Sequence, residues 1–124
     1  MLTYDTGALI AAEGGDRTMW ALHEAALRRG LTPAVPTVVL AQAWRGGPQA
    51  QLSKLLKGCI LEPLTEGQAR ATGEACAASR TNDIVDSAVV VSAATRHDSI
   101  VTTDSGDLAR VVDALGFSVA LHQI

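Results

Sequence analysis

Three aspartates in this sequence occupy positions from which they could bind a ligand together. Asp86 lies inside the apolar stretch "IVDSAVVV", where a buried carboxylate without a partner costs on the order of several kcal/mol. Asp5 directly follows the apolar segment "MLTY", and Asp104 directly follows "SIVTT". A buried aspartate usually has a cation or several hydrogen-bond donors as its partner. The sequence therefore predicts a functional role for Asp86.

The chemistry of these side chains favours a hard divalent cation. Carboxylate oxygens are the ligands that Mg²⁺ and Mn²⁺ prefer, and such ions bind through a few carboxylates while keeping several waters. An ion held in this way can activate water, orient it and neutralise charge on the leaving oxygen of a phosphodiester. No P-loop, zinc motif or serine–histidine pairing competes with this interpretation.

Helical geometry groups further residues with Asp86. At about 100° per residue, Asp83 and Ser87 share one helix face with Asp86. His97 lies on the same face but roughly 16 Å along the axis, so it is expected to be a surface or structural residue outside the site. Asp83 is explained equally well as an ordinary first-turn acid, because negative charge is favourable at a helix N-terminus.

Short apolar segments alternate with helical patterns along the chain, which indicates βαβ units and a mostly parallel sheet covered on both faces. Ligands of such sheets bind beyond the carboxyl ends of the strands, where Asp5 and Asp104 stand. The segment 79–99 is expected to form one buried helix capped by Thr81 or Asn82. The expected strands are "MLTY", a short one near Ala34, "CILEPL", "SIVTT" and "FSVAL".

Local signals predict several helix ends. Asp16 is expected to cap a helix that stops at Gly30. Pro48 is expected to open the amphipathic helix "PQAQLSKLLKG", because proline is well tolerated in a first turn. The helix that precedes it should run through Trp44.

The composition is that of one compact domain spanning residues 1–124. It is 48% apolar but only 3% aromatic, so the core must consist of alanine, valine and leucine. No apolar run approaches the roughly 18 residues of a membrane span, and the N-terminus lacks the basic flank of a secretory signal. We therefore expect a cytoplasmic protein without membrane contact. Cys59 and Cys76 are expected to be reduced thiols, with a disulfide or a zinc site as the lesser alternative.

Four motifs together resemble those of PIN-domain ribonucleases. They are "MLTYDTGALIA", "VVLAQAWRGG", "TNDIVDSAVVVSAA" and "IVTTDSGDL", and they look most like VapC toxins of type II toxin–antitoxin systems. The resemblance runs from Met1 to about Leu121. It implies a PIN-like three-layer α/β/α sandwich with a five-stranded sheet of order 3-2-1-4-5. It also implies a Mg²⁺-dependent endoribonuclease, with Mn²⁺ as an alternative ion, and a cognate VapB-like antitoxin.

The resemblance assigns roles residue by residue. Asp5, Asp86 and Asp104 match the acids that bind the metal and carry the catalysis. Thr102 matches the threonine of the motif that contains Asp104. Oriented neighbours hold metal ligands in place, and the residues expected in that supporting role are Asp83, Asp107, Thr6, Ser87 and Arg45.

The net charge of −3 gives no general attraction to nucleic acid. An RNA substrate would therefore need local cations, and Arg45, Lys54 and Lys57 are the candidates. A solvated helix face explains the two lysines as well.

One position departs from the family pattern. Gln42, in "LAQAW", stands where most PIN nucleases have a glutamate. A glutamine can donate or accept a hydrogen bond but brings no negative charge, so the site is expected to hold its metal more weakly. Asp83 or Asp107 could compensate, and Gln42 could equally be a buried structural residue.

Two other functions compete with that of a ribonuclease toxin. A PIN-like RNA- or protein-binding module, weak or inactive in catalysis, would keep the fold and the antitoxin interface, with Gln42 as its trace. A phosphoacceptor receiver domain has similar length and topology, but it needs paired acids after the first strand and a late lysine. Asp5 stands alone, and no lysine follows Lys57. We expect the ribonuclease toxin, with RNA as substrate and a homodimeric assembly.

Overall fold

A computed structural model describes residues 1–124, in which five strands and seven helices alternate. The strands are β1 Leu2–Tyr4, β2 Ala34–Pro36, β3 Ile60–Glu62, β4 Ser99–Thr102 and β5 Leu121–Gln123. The helices are α1 Thr6–Glu13, α2 Arg17–Arg28, α3 Thr37–Ala43, α4 Ala50–Leu56, α5 Glu66–Ser79, α6 Ile84–Arg96 and α7 Gly106–Leu115. None of the helices is both long and apolar enough to span a membrane.

The five strands form one sheet in the order β3-β2-β1-β4-β5, and every neighbouring pair is parallel. The PIN-like α/β fold and its strand order are thereby confirmed. Tyr4 of β1 pairs with Val101 of β4, so the two strands end side by side. Asp5 and Asp104 follow these two ends, and both therefore lie at the carboxyl end of the sheet.

The core is built from small aliphatic side chains around β1, β2 and β4. Seven consecutive residues of α6, from Ser87 to Ala93, are buried, because this helix packs on the sheet and against α3, α5 and α7. Tyr4 is the largest fully buried side chain. The scarcity of aromatic residues is thus met by close packing of valine, alanine and leucine, as the composition predicted.

The prediction of a single helix over residues 79–99 is wrong. Ser79 ends α5, and Arg80 turns the chain in a left-handed conformation with φ of 55°. Helix α6 begins only at Ile84. Residues 80–83 therefore form the turn between two helices that pack against each other, and the predicted helix was too long at both of its ends.

The cap of α6 also differs from the prediction. Neither Thr81 nor Asn82 is the N-cap; Asp83 is, and its carboxylate accepts the N–H of Asp86 at 2.9 Å. Thr81 instead accepts the N–H of Asp83 at 3.1 Å. Asp83 therefore has a structural role at the helix start, whatever else it does.

Three smaller expectations are corrected as well. The last strand is Leu121–Gln123 and not "FSVAL", of which only Leu121 belongs to β5. Helix α4 begins at Ala50, with Gln49 as its N-cap, so Pro48 does not open it. Helix α3 stops at Ala43, and Trp44 is its C-cap. By contrast, Asp16 caps α2 by accepting the Met19 N–H at 2.8 Å.

A buried ionic network that the sequence did not indicate ties α6 to three strands. Arg96 forms an ion pair with Glu62 at the end of β3 and a second one with Asp98 at 2.9 Å. Thr3 of β1 donates its hydroxyl to Asp98 at 2.9 Å, and Ser92 donates to Glu62 at 2.5 Å. The side chain of Asp98 is 3% exposed, so it needs countercharges, which Arg96 at 2.9 Å and the N-terminal ammonium of Met1 at 3.5 Å provide.

Candidate functional site

The first acid of the site is held by the start of α1. Asp5 is the N-cap of this helix, and its carboxylate accepts the N–H of Ala8 at 2.9 Å. Its own N–H donates to the carbonyl oxygen of Val101 at 3.2 Å, which fixes the residue against β4. Asp5 is only 7% exposed, so its carboxylate is a nearly buried acid at the junction of β1, β4 and α1.

The second acid lies in the loop that follows β4. Thr102 is buried, and its hydroxyl accepts the N–H of Asp104 at 3.0 Å. The carboxylate of Asp104 accepts the N–H of Gly106 at 3.1 Å, while the residue as a whole is exposed. The Thr102 hydroxyl also donates to the carbonyl oxygen of Asp104 at 3.0 Å, and it is close enough to Asp5 to lower the pKa of that carboxyl. Thr102 therefore fixes the backbone at Asp104 and lies near Asp5.

The start of α6 brings two more acids. Asp83 is exposed, and Asp86 in the first turn is half-buried. Asp107, in the first turn of α7, is close enough to act on Asp86 electrostatically. We refer to Asp5, Asp83, Asp86, Asp104 and Asp107 as the acidic cluster.

The carboxylates of the acidic cluster act on one another. The pKa of Asp86 is raised to about 7, first by burial and then by the charge and hydrogen bond of Asp83, with smaller contributions from Asp107 and Asp5. The raised pKa means that ionising Asp86 brings one more negative charge into a group that already repels it.

Asp5 has a raised pKa for a similar reason. Burial is the largest cause, and the charge of Asp104 adds to it. Hydrogen bonds from the Thr102 side chain and from the N–H groups of Ala8 and Gly7 oppose the shift. Asp5 thus interacts electrostatically with two other acids of the acidic cluster: the charge of Asp104 raises the pKa of Asp5, and the charge of Asp5 raises the pKa of Asp86.

No basic side chain neutralises the acidic cluster. The ion pairs of the chain involve only Glu62, Glu66 and Asp98 as acids. All five side chains of the cluster offer carboxylate oxygens, which is the donor set that Mg²⁺ and Mn²⁺ prefer. As the side chains stand, no three of them are arranged to ligate one ion, and three of the five accept a backbone N–H. The chemistry of the residues fits a hard cation, and ligation would require the carboxylates to move together.

The predicted supporting residues lie at different distances from this cluster. Thr6 donates its hydroxyl to the side-chain oxygen of Gln42 at 2.6 Å. Gln42 thus contacts the residue that follows Asp5. Its side chain is exposed, which excludes a buried structural role. Ser87 is fully buried and accepts a hydrogen bond from the thiol of Cys76 at 3.3 Å. Its side chain faces α5, and Cys76 is a contact that sequence reasoning missed.

The candidate RNA contacts are exposed, but two of them have local partners. The guanidinium of Arg45 donates to the carbonyl oxygen of Trp44 at 2.9 Å and so caps the end of α3. The ammonium of Lys54 lies 5.4 Å from the centre of the Trp20 ring. Trp20 in turn donates to the carbonyl of Ala12, near the end of α1 that is opposite Asp5. Lys57 forms no ion pair.

Two residues beside the acids were not among the sequence predictions. The backbone N–H of Gly7 is close enough to lower the pKa of Asp5, and Thr103 lies directly against Gly7. No signal in the sequence could have paired them, because the contact depends on how α1 and the loop after β4 meet in space.

The fold is shared with solved structures of toxin–antitoxin complexes. The VapBC2 complex from Rickettsia felis, solved with a DNA fragment from their promoter, contains a chain that matches with a TM-score of 0.74 and 14% identity over 99% of this chain and 98% of that one. A toxin–antitoxin complex from Klebsiella pneumoniae matches with a TM-score of 0.69 and 17% identity over 88% of this chain and 91% of that one. No family model and no curated protein matches the sequence. The structural likeness extends over nearly the whole chain and concerns the fold.

Proposed function

We propose that this protein is a metal-dependent endoribonuclease of the VapC toxin type, which hydrolyses RNA phosphodiester bonds and is neutralised by a cognate antitoxin. The observation that carries the proposal is the acidic cluster, five aspartates at one end of the sheet without a basic partner. The likeness in fold to chains of two toxin–antitoxin complexes supports the biological role.

Asp5, Asp86 and Asp104 are the residues that would hold a Mg²⁺ or Mn²⁺ ion, and Asp83 and Asp107 would add negative charge around it. When bound, such an ion supplies activation of water and neutralisation of charge at the scissile phosphate. Asp86 must lose its proton to become a ligand, and its pKa of about 7 places that step near neutral pH. Ion binding should therefore release a proton.

The chain's own residues organise the site in two ways. Thr102 hydrogen-bonds to the backbone of Asp104 and lowers the pKa of Asp5, so it would hold Asp104 in place and favour the ionised form of Asp5. The acidic cluster itself repels an RNA phosphate as long as its charge is unbalanced. Substrate binding is therefore expected to depend on the cation, and Arg45, Lys54 and Lys57 are the proposed positive contacts for the RNA backbone further out.

The antitoxin, a homodimeric assembly and a cytoplasmic location complete the proposal. They follow from the type of toxin proposed. Growth inhibition on expression of this chain, relieved by co-expression of its antitoxin, is the corresponding expectation in cells.

Cleavage of RNA by purified protein tests the proposal. We expect Mg²⁺-dependent cleavage that EDTA abolishes, and a loss of about 100-fold or more in Asp86→Asn. Asp113→Asn is the matched control, because Asp113 is an exposed aspartate of α7 with no side-chain hydrogen bond or ion pair. Cleavage that survives in folded Asp86→Asn would contradict the assignment of this residue.

A binding module with weak or absent catalysis is the second candidate. It is favoured by Gln42, which places an uncharged side chain next to Thr6 and Asp5. The two candidates differ in one result. A binding module would bind RNA without cutting it at saturating Mg²⁺ or Mn²⁺, whereas the proposed enzyme would cut.

A further inference from the structure

Helix α1, which follows Asp5, meets the loop after β4, which carries Asp104, at Gly7. A Cβ atom built on Gly7 would lie 2.2 Å from the hydroxyl oxygen of Thr103 and 3.3 Å from its Cβ. It would also lie 3.4 Å from a carboxylate oxygen of Asp5. The Thr103 side chain therefore occupies the volume that any larger residue at position 7 would need.

The neighbours of both residues make this contact important for the acidic cluster. Gly7 is two residues after Asp5, and a Cβ at position 7 would touch the Asp5 carboxylate as well as Thr103. Thr103 stands between Thr102 and Asp104, which hydrogen-bond to each other at 3.0 Å. A backbone displacement of Thr103 would therefore also move Thr102 and Asp104.

We propose that the contact between Gly7 and Thr103 sets the separation of Asp5 from Asp104, which makes both residues positioning residues for the ion site. The inference deepens the proposed function, since it concerns the site at which that function would take place. Neither residue needs to touch the ion or the RNA. Both act by holding α1 against the loop after β4.

Helix propensity predicts the opposite effect for a substitution at Gly7. Alanine is a better helix former than glycine, so Gly7→Ala would stabilise α1 if the surrounding space were open. Gly67 provides the comparison, because it is the second residue of α5 just as Gly7 is the second residue of α1. No atom lies within 4 Å of a Cβ built on Gly67. The two glycines thus have the same place in a helix and different surroundings.

A double-mutant cycle tests the proposal in the full chain. The variants are Gly7→Ala, Thr103→Ala and the double variant, with Gly67→Ala as the matched control and Thr103→Val as a variant that keeps the volume of threonine. Three quantities are measured: melting temperature, backbone amide chemical shifts of Thr102 to Asp104 without metal, and Mn²⁺ affinity by calorimetry. The first two do not depend on ribonuclease activity or on a bound ion.

We expect Gly7→Ala to lower the melting temperature, to shift the Asp104 amide and to weaken Mn²⁺ binding by about tenfold or more, because small misplacements of reacting groups have large effects. The double variant should regain most of each loss, since removing the Thr103 hydroxyl leaves room for the new methyl group. Gly67→Ala should raise the melting temperature and leave the amide shifts unchanged. Thr103→Val should behave as the wild type.

An unaltered Asp104 amide together with unaltered Mn²⁺ affinity in Gly7→Ala would overturn the proposal. So would equal losses in Gly7→Ala and the double variant, because the contact would then not be the cause. If Gly7→Ala fails to fold, a folded double variant with near-wild-type amide shifts supports the contact, and an unfolded one contradicts it. A wild-type protein that binds Mn²⁺ but cuts no RNA would count against the proposed function and leave this inference standing.

Discussion

Asp86 couples the acidic cluster to the stability of the protein. Its pKa is about 7 in the folded chain against an ordinary value of 3.8. Because the folded pKa is raised, Asp86 contributes stability that is fully present below about pH 4 and is lost as the pH rises through about 7. Ionisation of this one group therefore weakens the metal-free fold between these two pH values.

Replacing Asp86 by asparagine should remove this loss. We expect metal-free Asp86→Asn to be more stable than the wild type at about pH 8, by about 1–2 kcal/mol. A shift of about three pK units corresponds to about 4 kcal/mol, but the side chain is half-exposed and solvent screens its interactions. The difference should shrink towards about pH 4, where the wild-type carboxyl is neutral.

Urea unfolding in EDTA across this pH range measures the effect, and Asp113→Asn serves as the control. If the difference in the free energy of unfolding between Asp86→Asn and the wild type does not change with pH, burial and the neighbouring carboxylates do not raise the pKa of Asp86.

Gln42 is the residue at which a charge can be added to the site. Its side-chain oxygen accepts the hydroxyl of Thr6 at 2.6 Å, so Gln42→Glu would place a carboxylate beside the residue that follows Asp5. We expect the Mn²⁺ affinity to rise by roughly tenfold, the effect of about 1.4 kcal/mol of added attraction. The same charge should lower the stability of the metal-free protein, because like charges repel.

Calorimetric titration with Mn²⁺ checks this prediction. Gln51→Glu is the matched control, because Gln51 is exposed in α4 and the substitution adds the same charge elsewhere. Equal Mn²⁺ affinities of Gln42→Glu and Gln51→Glu would place Gln42 outside the ion site.

Many individual residues of the candidate site could be predicted from the sequence. Asp5 and Asp104 could be placed because acids that directly follow apolar strands lie at the carboxyl end of a parallel sheet. Asp86 could be placed because its neighbours are apolar. Gly7 and Thr103 could not be paired, since their contact depends on how two segments meet across the sheet. Roles for all of these residues remain predictions until the variants are measured.

Among the elements, the helices were easier to predict than their ends. The start of α6 was placed too early, because Arg80 adopts positive φ without being glycine and Thr81, Asn82 and Asp83 are all residue types that are preferred as N-caps. The cap was missed because Asp83 was expected to be inside the helix. The strand "FSVAL" was misplaced because the chain after Gly116 is apolar, but its pairing with β4 begins only at its last two residues. The carbonyl oxygen of Ala120 accepts the N–H of Ile100 at 2.9 Å, and Leu121 is the first residue of β5 in register with β4. A sequence pattern does not show where such pairing starts.

Helix α5 contains a buried hydroxyl without a hydrogen-bond partner. Thr72 is 2% exposed, and its hydroxyl oxygen has no partner within the chain. Replacement by valine keeps the shape and removes the unsatisfied group, so we expect Thr72→Val to stabilise the protein by about 0.5–1.5 kcal/mol.

Urea unfolding compares this variant with Thr95→Val in α6. The hydroxyl of Thr95 donates to the carbonyl oxygen of Val91 at 2.8 Å. Because Thr95 is exposed, loss of this hydroxyl should change the free energy of unfolding little. Destabilisation of Thr72→Val by more than about 1 kcal/mol would show that the Thr72 hydroxyl has a partner such as an ordered water.

For the whole molecule, the alternation of strands and helices was sufficient to predict a parallel α/β sheet. The strand order came from the resemblance to PIN domains and was confirmed. The periodicity of the sequence could not have supplied it, because that pattern does not say which strands are neighbours. The network around Arg96 was not predicted either, since it joins residues from β1, β3, α6 and the start of β4.

That network should contribute strongly to global stability. Arg96→Met would leave the buried carboxylate of Asp98 with only the half-exposed N-terminal ammonium of Met1, 3.5 Å away, as its countercharge, and we expect a loss of about 2–4 kcal/mol in the free energy of unfolding. Arg70→Met is the control, because Arg70 pairs with Glu66 on the surface and should contribute less than about 1 kcal/mol. Urea unfolding measures both variants. Similar losses in the free energy of unfolding would mean that Arg96 does not act as the countercharge of a buried carboxylate.

The central claim is that the acidic cluster binds a divalent cation through Asp86, and calorimetric titration with Mn²⁺ at about pH 6 and about pH 8 tests it most directly. With a pKa of about 7 for Asp86, the wild type should bind roughly tenfold more tightly at the higher pH, because a proton must leave before the carboxylate can ligate. Asp86→Asn should bind weakly at both pH values, and Asp113→Asn should behave as the wild type. Absence of binding by the wild type at millimolar Mn²⁺, or binding of equal strength in wild type and Asp86→Asn, would contradict the claim.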